Sequence, residues 1–232
     1  MAKSTYQEWV SEVKDVLLGL KKKIDQNEIA QSLYGGFYIW DSKYIENPEI
    51  MFIGINPGNG NPNNSGEVNV EPQEQMSYME FLDGENNSYT LARETVDVFR
   101  MAGYSEQEVR ELLNERSVKT NLFYLITSTQ KDIEKCINQL PEYSYAEYGK
   151  KSCEWTSRLI GIMNPRIIIC EGKRVFDIVT DCDEIVELKW ENDCGFCITE
   201  GRRIIIGYSR LYSNIKNKQA VVELIKRFVK VA

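Results

Sequence analysis

Three stretches of this 232-residue chain carry their aliphatic residues side by side: "IMFIGI" at 50–55, "RIIICEG" at 166–172 and "RRIIIGYSR" at 202–210. A strand with one wet face alternates apolar and polar residues. A short run without alternation suits a strand buried on both faces, as in a parallel sheet covered by helices. Pro48 and Pro57 bound the first run. "VKTNLFYLI" at 118–126 reads as a further strand, and "EIVELKW" with "GFCITE" as an antiparallel pair.

Helical patterns separate these runs. Trp9, Val13, Val16, Leu17 and Leu20 recur at helical spacing over about 5–24. "YTLARETVDVFRMAG" ends at the capping glycine Gly103, and "SEQEVRELLNE" opens with Ser105 three residues before Glu108, a capping box. Further helices are expected over about 145–163, ahead of Pro165, at "KRVFDIVTD" and at "NKQAVVELIKRFVKVA". Residues 57–88 read as one long polar loop. The pattern predicts an α/β fold in three layers, with a central, mostly parallel sheet of about four strands and helices on both faces. It predicts one domain over 1–232, with residues 1–30 as an N-terminal helical extension.

In such sheets ligands bind beyond the carboxyl ends of the strands. The stations to inspect are therefore "GINPG" (Gly54 to Gly58), "TNLFYL", "CEGKR" and "GYSRLYSN". Pro57 and Gly58 force a sharp turn, which puts Asn56 at a strand tip with an amide that both donates and accepts. On those residues alone, a plain Asn-Pro-Gly turn is the simpler reading. The glycines match neither a P-loop nor a dinucleotide fingerprint.

Composition narrows the chemistry. The chain has no histidine, which removes the commonest general base and every Ser-His-Asp arrangement. Its net charge of −7 argues against a broad nucleic-acid surface but leaves room for a small basic cleft. Lys173, Arg174, Arg202, Arg203, Arg210, Lys216 and Lys218 fall near the last strand ends, either as a phosphate footprint or as scattered solvated charge. No apolar run approaches the roughly 20 residues that span a bilayer, and the N-terminus is too polar for a secretory signal; a cytoplasmic protein with no membrane partner is expected. Cys136, Cys153, Cys170, Cys182, Cys194 and Cys197 are then expected as reduced thiols. Cys194 and Cys197 form a C-x-x-C pair, read either as ordinary thiols of a hairpin or, with Cys182, as part of a metal site; the first is favoured because no histidine or second pair completes a ligand set. Glu171 is a candidate catalytic carboxylate, though a surface position is commoner. Phe37, Tyr38, Trp40 and Tyr44 suit core packing better than base stacking.

"GINPG" after a first buried strand resembles the water-activating motif of the uracil-DNA glycosylase superfamily, most like its mismatch-specific and single-strand-selective branches. "YTLARETVDVFRMAGYSEQEV", "VKTNLFYL", "MNPRIIICEGKRVF" and "GYSRLYSN" follow in the order of that family's next helix, base-reading strand, third strand and second motif, over about residues 48–230. The resemblance implies an enzyme that flips a base out of DNA and hydrolyses its N-glycosidic bond, with no metal or cofactor. Asn56 would orient the water, and backbone N–H groups near Ile55 would stabilise the departing base. Asn121 would read a pyrimidine edge, and Tyr78, Phe81 or Tyr89 would stack on it. Gly58, Ser209, Arg210 and Leu211 would meet single- or double-stranded DNA, Leu211 as the wedge. The second motif departs from the family: Gly207 stands at the His/Asn place and Tyr208 at the proline place. The acidic residues of the 57–88 loop would repel phosphates. The other reading is a fold relative without glycosylase activity that binds a nucleotide, modified base, nucleic acid or protein.

Overall fold

The computed structural model describes residues 5–58, 65–84, 88–181 and 184–230; part of the Asn-rich loop, Glu85 and Cys182 lie outside them. In chain order the elements are α1 (Tyr6–Ile24), α2 (Glu28–Leu33), β1 (Phe37–Tyr38), β2 (Ile50–Gly54), β3 (Val68–Asn69), α3 (Ser77–Leu82), α4 (Thr90–Met101), α5 (Glu106–Glu115), β4 (Ser117–Asn121), α6 (Gln130–Ile137), α7 (Tyr145–Met163), β5 (Ile167–Cys170), α8 (Lys173–Thr180), β6 (Ile185–Glu191), β7 (Cys194–Thr199), β8 (Ile204–Tyr208), β9 (Arg210–Leu211), β10 (Asn214–Ile215) and α9 (Lys218–Ile225), with a π-helical turn at Lys226–Lys230. The chain divides into two compact units, one drawn from Met1–Trp40, Ile55–Pro72 and Asn121–Ile162, the other from Asp41–Gly54, Gln73–Thr120 and Met163–Ala232.

In the first unit α1 is fixed by a capping box, in which the Thr5 hydroxyl accepts from the Glu8 N–H and the Glu8 carboxylate accepts from the Thr5 N–H. Its apolar stripe is fully buried at Trp9, Val13 and Leu17. The Trp9 indole donates to the Trp155 carbonyl at 3.0 Å, and Trp155 stacks on Tyr124 with centroids 6.1 Å apart. Phe37, Tyr38 and Trp40 are buried, as core packing requires. The strand expected over 118–126 ends at Asn121. Residues 122–126 stay buried but bond irregularly to the 35–38 segment: Tyr38 N–H donates to the Tyr124 carbonyl and Ile126 N–H to that of Gly36, both at 2.8 Å.

The second unit holds the main sheet, in the order β4-β2-β5-β8-β7-β6. β2, β5 and β8 run parallel, with Met51 beside Ile168 and Ile168 beside Ile205. β7 runs antiparallel to β8, and β6 to β7. The sheet is thus mostly parallel, as expected, but six strands wide rather than about four. The β6–β7 pair is not a separate flap, because β7 lies along the free edge of β8 and buries Cys194, Phe196 and Cys197. Every residue of β2 and β5 is buried. On one face Ile50, Phe52, Ile167, Ile169, Ile206 and Tyr208 pack with side chains of α3, α4, α5 and α9. Strand alternation turns Gly207 to the other face, where Phe176 of α8 lies against it.

The expected loop 57–88 contains the short strand β3, which pairs parallel with β1, and the helix α3. No helix among the described residues is long and apolar enough to cross a membrane.

Candidate functional site

After β2 the chain turns at Ile55–Gly58 and is held by the 121–129 segment. The Phe123 N–H donates to the Ile55 carbonyl at 2.9 Å, and the Thr127 N–H to that of Pro57 at 3.3 Å. The Asn56 side chain is fixed by the same segment. Its Nδ2 donates to the Pro57 carbonyl at 2.9 Å, the Thr127 carbonyl at 3.3 Å and Thr127 Oγ1 at 3.1 Å. Two carbonyl acceptors settle which end of the amide is nitrogen. Thr127 Oγ1 gives its own proton to the Thr129 carbonyl at 2.9 Å, so it can only accept from Asn56. The donor end of Asn56 is therefore satisfied and the acceptor Oδ1 is turned away from these partners. A neutral acceptor held in one orientation can align a water molecule, but it cannot take a proton at neutral pH. Asn121, in the same unit, is buried at the end of β4. Gly58 is exposed, with open space where a Cβ would stand.

The other expected residues belong to the second unit. Tyr78 has no exposed surface; its ring meets the Phe52 ring edge-on at 5.4 Å, and its hydroxyl donates to Glu171. Phe81 and Tyr89 are half-buried. Past β8, the β9–β10 hairpin pairs Leu211 with Asn214 and Arg210 with Ile215. Leu211 is 59% exposed and Tyr212 is 89% exposed at its tip. Ser209 anchors this hairpin, with its N–H donating to the Asp193 carbonyl at 2.6 Å and its carbonyl accepting from Lys216 at 3.1 Å.

Gly207 has a packing reason. A Cβ there would stand 2.4 Å from Phe176 Cδ2 and 2.6 Å from its Cβ and Cγ, well inside van der Waals contact. The neighbouring Tyr208 is buried on the opposite face, in the core with α4 and α9. Neither residue presents a side chain to a ligand beyond the strand end.

The expectation that Glu171 is a surface residue is overturned. Glu171 is 1% exposed and forms an ion pair with Lys119 of β4, which is 2% exposed. Lys119 Nζ also donates to the Tyr78 hydroxyl at 3.1 Å. Burial alone would push the Glu171 carboxyl up, but the Lys119 and Arg210 charges and the hydrogen bonds from Lys119 and Tyr78 hold it below its ordinary value. Burial likewise works against the Lys119 ammonium, and Glu171 reverses it, leaving Lys119 raised. Burial first, and then Glu171, pushes the Tyr78 hydroxyl up. The trio keeps its charges at neutral pH, so it pins α3 to β4 and β5 rather than exchanging protons. The lysine looks like a solvated strand residue in "VKT" because its carboxylate partner lies 52 residues away.

Several basic residues weighed as a phosphate footprint are already paired. Lys173 meets Asp177 at 2.6 Å, Lys216 meets Asp193 at 3.5 Å, and Lys218 meets Glu94 at 2.8 Å and Asp97 at 3.5 Å. Cys194 and Cys197 stand three residues apart on one strand, so their thiols point to opposite faces and cannot converge on one ion. An open depression of about 490 Å³ lies at the amino ends of β2, β4 and β5, lined by Glu49, Arg116 and Arg166 among others; its Arg116 is paired with Glu49.

No protein-family model matches the chain, and no curated protein matches it.

Proposed function

We propose that this chain is a monofunctional DNA glycosylase of the uracil-DNA glycosylase type, acting on uracil or a related pyrimidine lesion, with the helix–sheet–helix layering of that family. The observation that carries the reading is Asn56, a strand-tip amide whose nitrogen is tied to Thr127 and Pro57. In the proposed reaction, water oxygen bonds to the sugar C1′ as the C1′–N1 bond breaks, and the bonding pair leaves with the base. Asn56 Oδ1 accepts a hydrogen bond from that water, and the released proton passes to solvent or to the departing base. Backbone N–H groups near Ile55 face the charge that develops on the base. The Asn121 amide matches the O4 and N3–H of uracil. With Tyr78 committed to Glu171, Phe81 and Tyr89 are the rings left to stack on a base. Ser209 and Arg210 meet phosphate, and Leu211, outward on its hairpin tip, is the wedge.

A second reading is a binding protein on this scaffold. It is favoured by Gly207, where Phe176 fills the space a catalytic side chain would need. Base release from uracil-containing single strands and G·U duplexes separates the two. The glycosylase should release uracil, and Asn56→Ala should lower the rate by roughly 100-fold or more while the circular dichroism spectrum stays unchanged. Release that persists in Asn56→Ala, or none from folded wild type, overturns the enzyme reading.

A further inference from the structure

β6 is an edge strand: among the described residues, β7 is its one strand neighbour. Three of its exposed side chains are aliphatic, Ile185, Val186 and Leu188 at 44%, 67% and 54%, beside the exposed charges of Glu187 and Lys189. Its outward backbone groups follow from the hairpin. Asn192 and Asp193 both have positive φ, 51° and 70°, which makes the two-residue connection a type I′ turn closing on the hydrogen-bonded pair Glu191·Cys194. Glu187 and Lys189 then also face β7, and Leu188 and Trp190 turn their N–H and C=O groups to the open edge. A one-residue bulge at Val186 ends the regular stretch.

We infer that β6 pairs antiparallel with β6 of a second copy of this chain, about a two-fold axis through Leu188. This register puts Leu188 against Leu188 of the copy in a hydrogen-bonded pair, with Trp190 across from Val186. Glu187 and Lys189 then fall directly opposite one another twice, in the closely spaced non-hydrogen-bonded positions where cross-strand charges interact best. The charge pattern also fixes the register. Sliding the copy one repeat in one direction sets Lys189 against Lys189, and in the other sets Glu187 against Glu187. Leu188 and Trp190 share the face that carries α8, where Trp190 already packs on Phe176 at 4.9 Å, so the apolar side chains of both copies line one face and the charges the other.

Sedimentation equilibrium of the full chain tests this. Wild type should dimerise with rising concentration. Lys189→Glu turns two attractive pairs into two repulsive ones and should raise the dissociation constant by roughly tenfold or more. Leu188→Lys should do the same by placing like charges on the axis. The charge swap Glu187→Lys with Lys189→Glu should restore the dimer, which a merely structural defect would not allow. All three positions are exposed on β6, and the melting temperature of each variant checks folding. Wild type that is monomeric from micromolar to millimolar concentration overturns the inference, as does a dimer that both single changes leave intact or that the swap fails to restore.

Discussion

Replacing Lys119 by methionine keeps an unbranched side chain one atom shorter and removes its charge. In the native protein the ammonium and the Glu171 carboxylate are 2% and 1% exposed, so solvent cannot take over the missing partner. Breaking a buried pair from one side costs about 3–5 kcal/mol, because the remaining charge stays desolvated. That is a large share of the ~5–15 kcal/mol by which a domain is stable, and it should move the urea midpoint down by roughly 1–2 M. The pH dependence gives a second readout. In wild type the Glu171 carboxyl is held below its ordinary value, so its contribution is present above the unfolded carboxyl pKa and is lost as pH falls through the folded one. Lys119 is held above its ordinary value; its contribution is present below the unfolded lysine pKa and is lost as pH rises through the folded one. Without Lys119, burial dominates Glu171 and raises it, so protonation relieves the variant. The deficit of Lys119→Met should therefore be greatest at neutral pH and shrink toward pH 5. Removing both charges, as Lys119→Met with Glu171→Met, should cost less than Lys119→Met alone. Urea titrations followed by circular dichroism measure all of this. A single-variant loss under about 1 kcal/mol at neutral pH, or a double variant less stable than the single, would refute the assignment of an ion pair that holds α3 to the sheet.

Gly207→Ala should destabilise by about 1–3 kcal/mol, because the new methyl overlaps the Phe176 ring. In a Phe176→Ala background the same change should cost much less, and a double-mutant cycle from thermal melts reads the coupling. Asp193→Gly converts the β6–β7 turn to the preferred Asn-Gly pair and should gain about 0.5 kcal/mol, or roughly 1–2 °C in Tm; the exposed contact between Asp193 and Lys216 at 3.5 Å adds little against it. A fall in Tm would show that Asp193 has a role beyond the turn.

The parts of the fold readable from sequence are those whose signals are local. Ser105 with Glu108 caps its helix as the spacing suggests, and the unbroken runs at β2, β5 and β8 are the buried parallel strands. α3 has no local signature, being six residues capped at Met76 without a side-chain hydrogen bond; Tyr78 and Met79, packed in the core with Phe52, hold it in place. The strand expected over 118–126 is shorter, because residues 122–126 are as apolar as a strand yet their backbone groups bond irregularly to the 35–38 segment. Of the candidate site, the position of Asn56 was legible, while its Thr127 anchor was not, since a threonine after an apolar run carries no such mark. The closing of Gly207 by Phe176, and the pairing of Lys119 with Glu171, depend on contacts between distant segments, which residue spacing does not encode.

The strand order of the sheet also sets the timing of its assembly on the ribosome. β2 lies between β4 and β5, and β5 in turn needs β8, so "IMFIG" leaves the exit tunnel long before any neighbour in its sheet exists. An apolar segment waiting for distant partners is slow to pair and prone to aggregate. The β2 segment is therefore exposed to that hazard until its second neighbour, β5, is made in the last third of the chain.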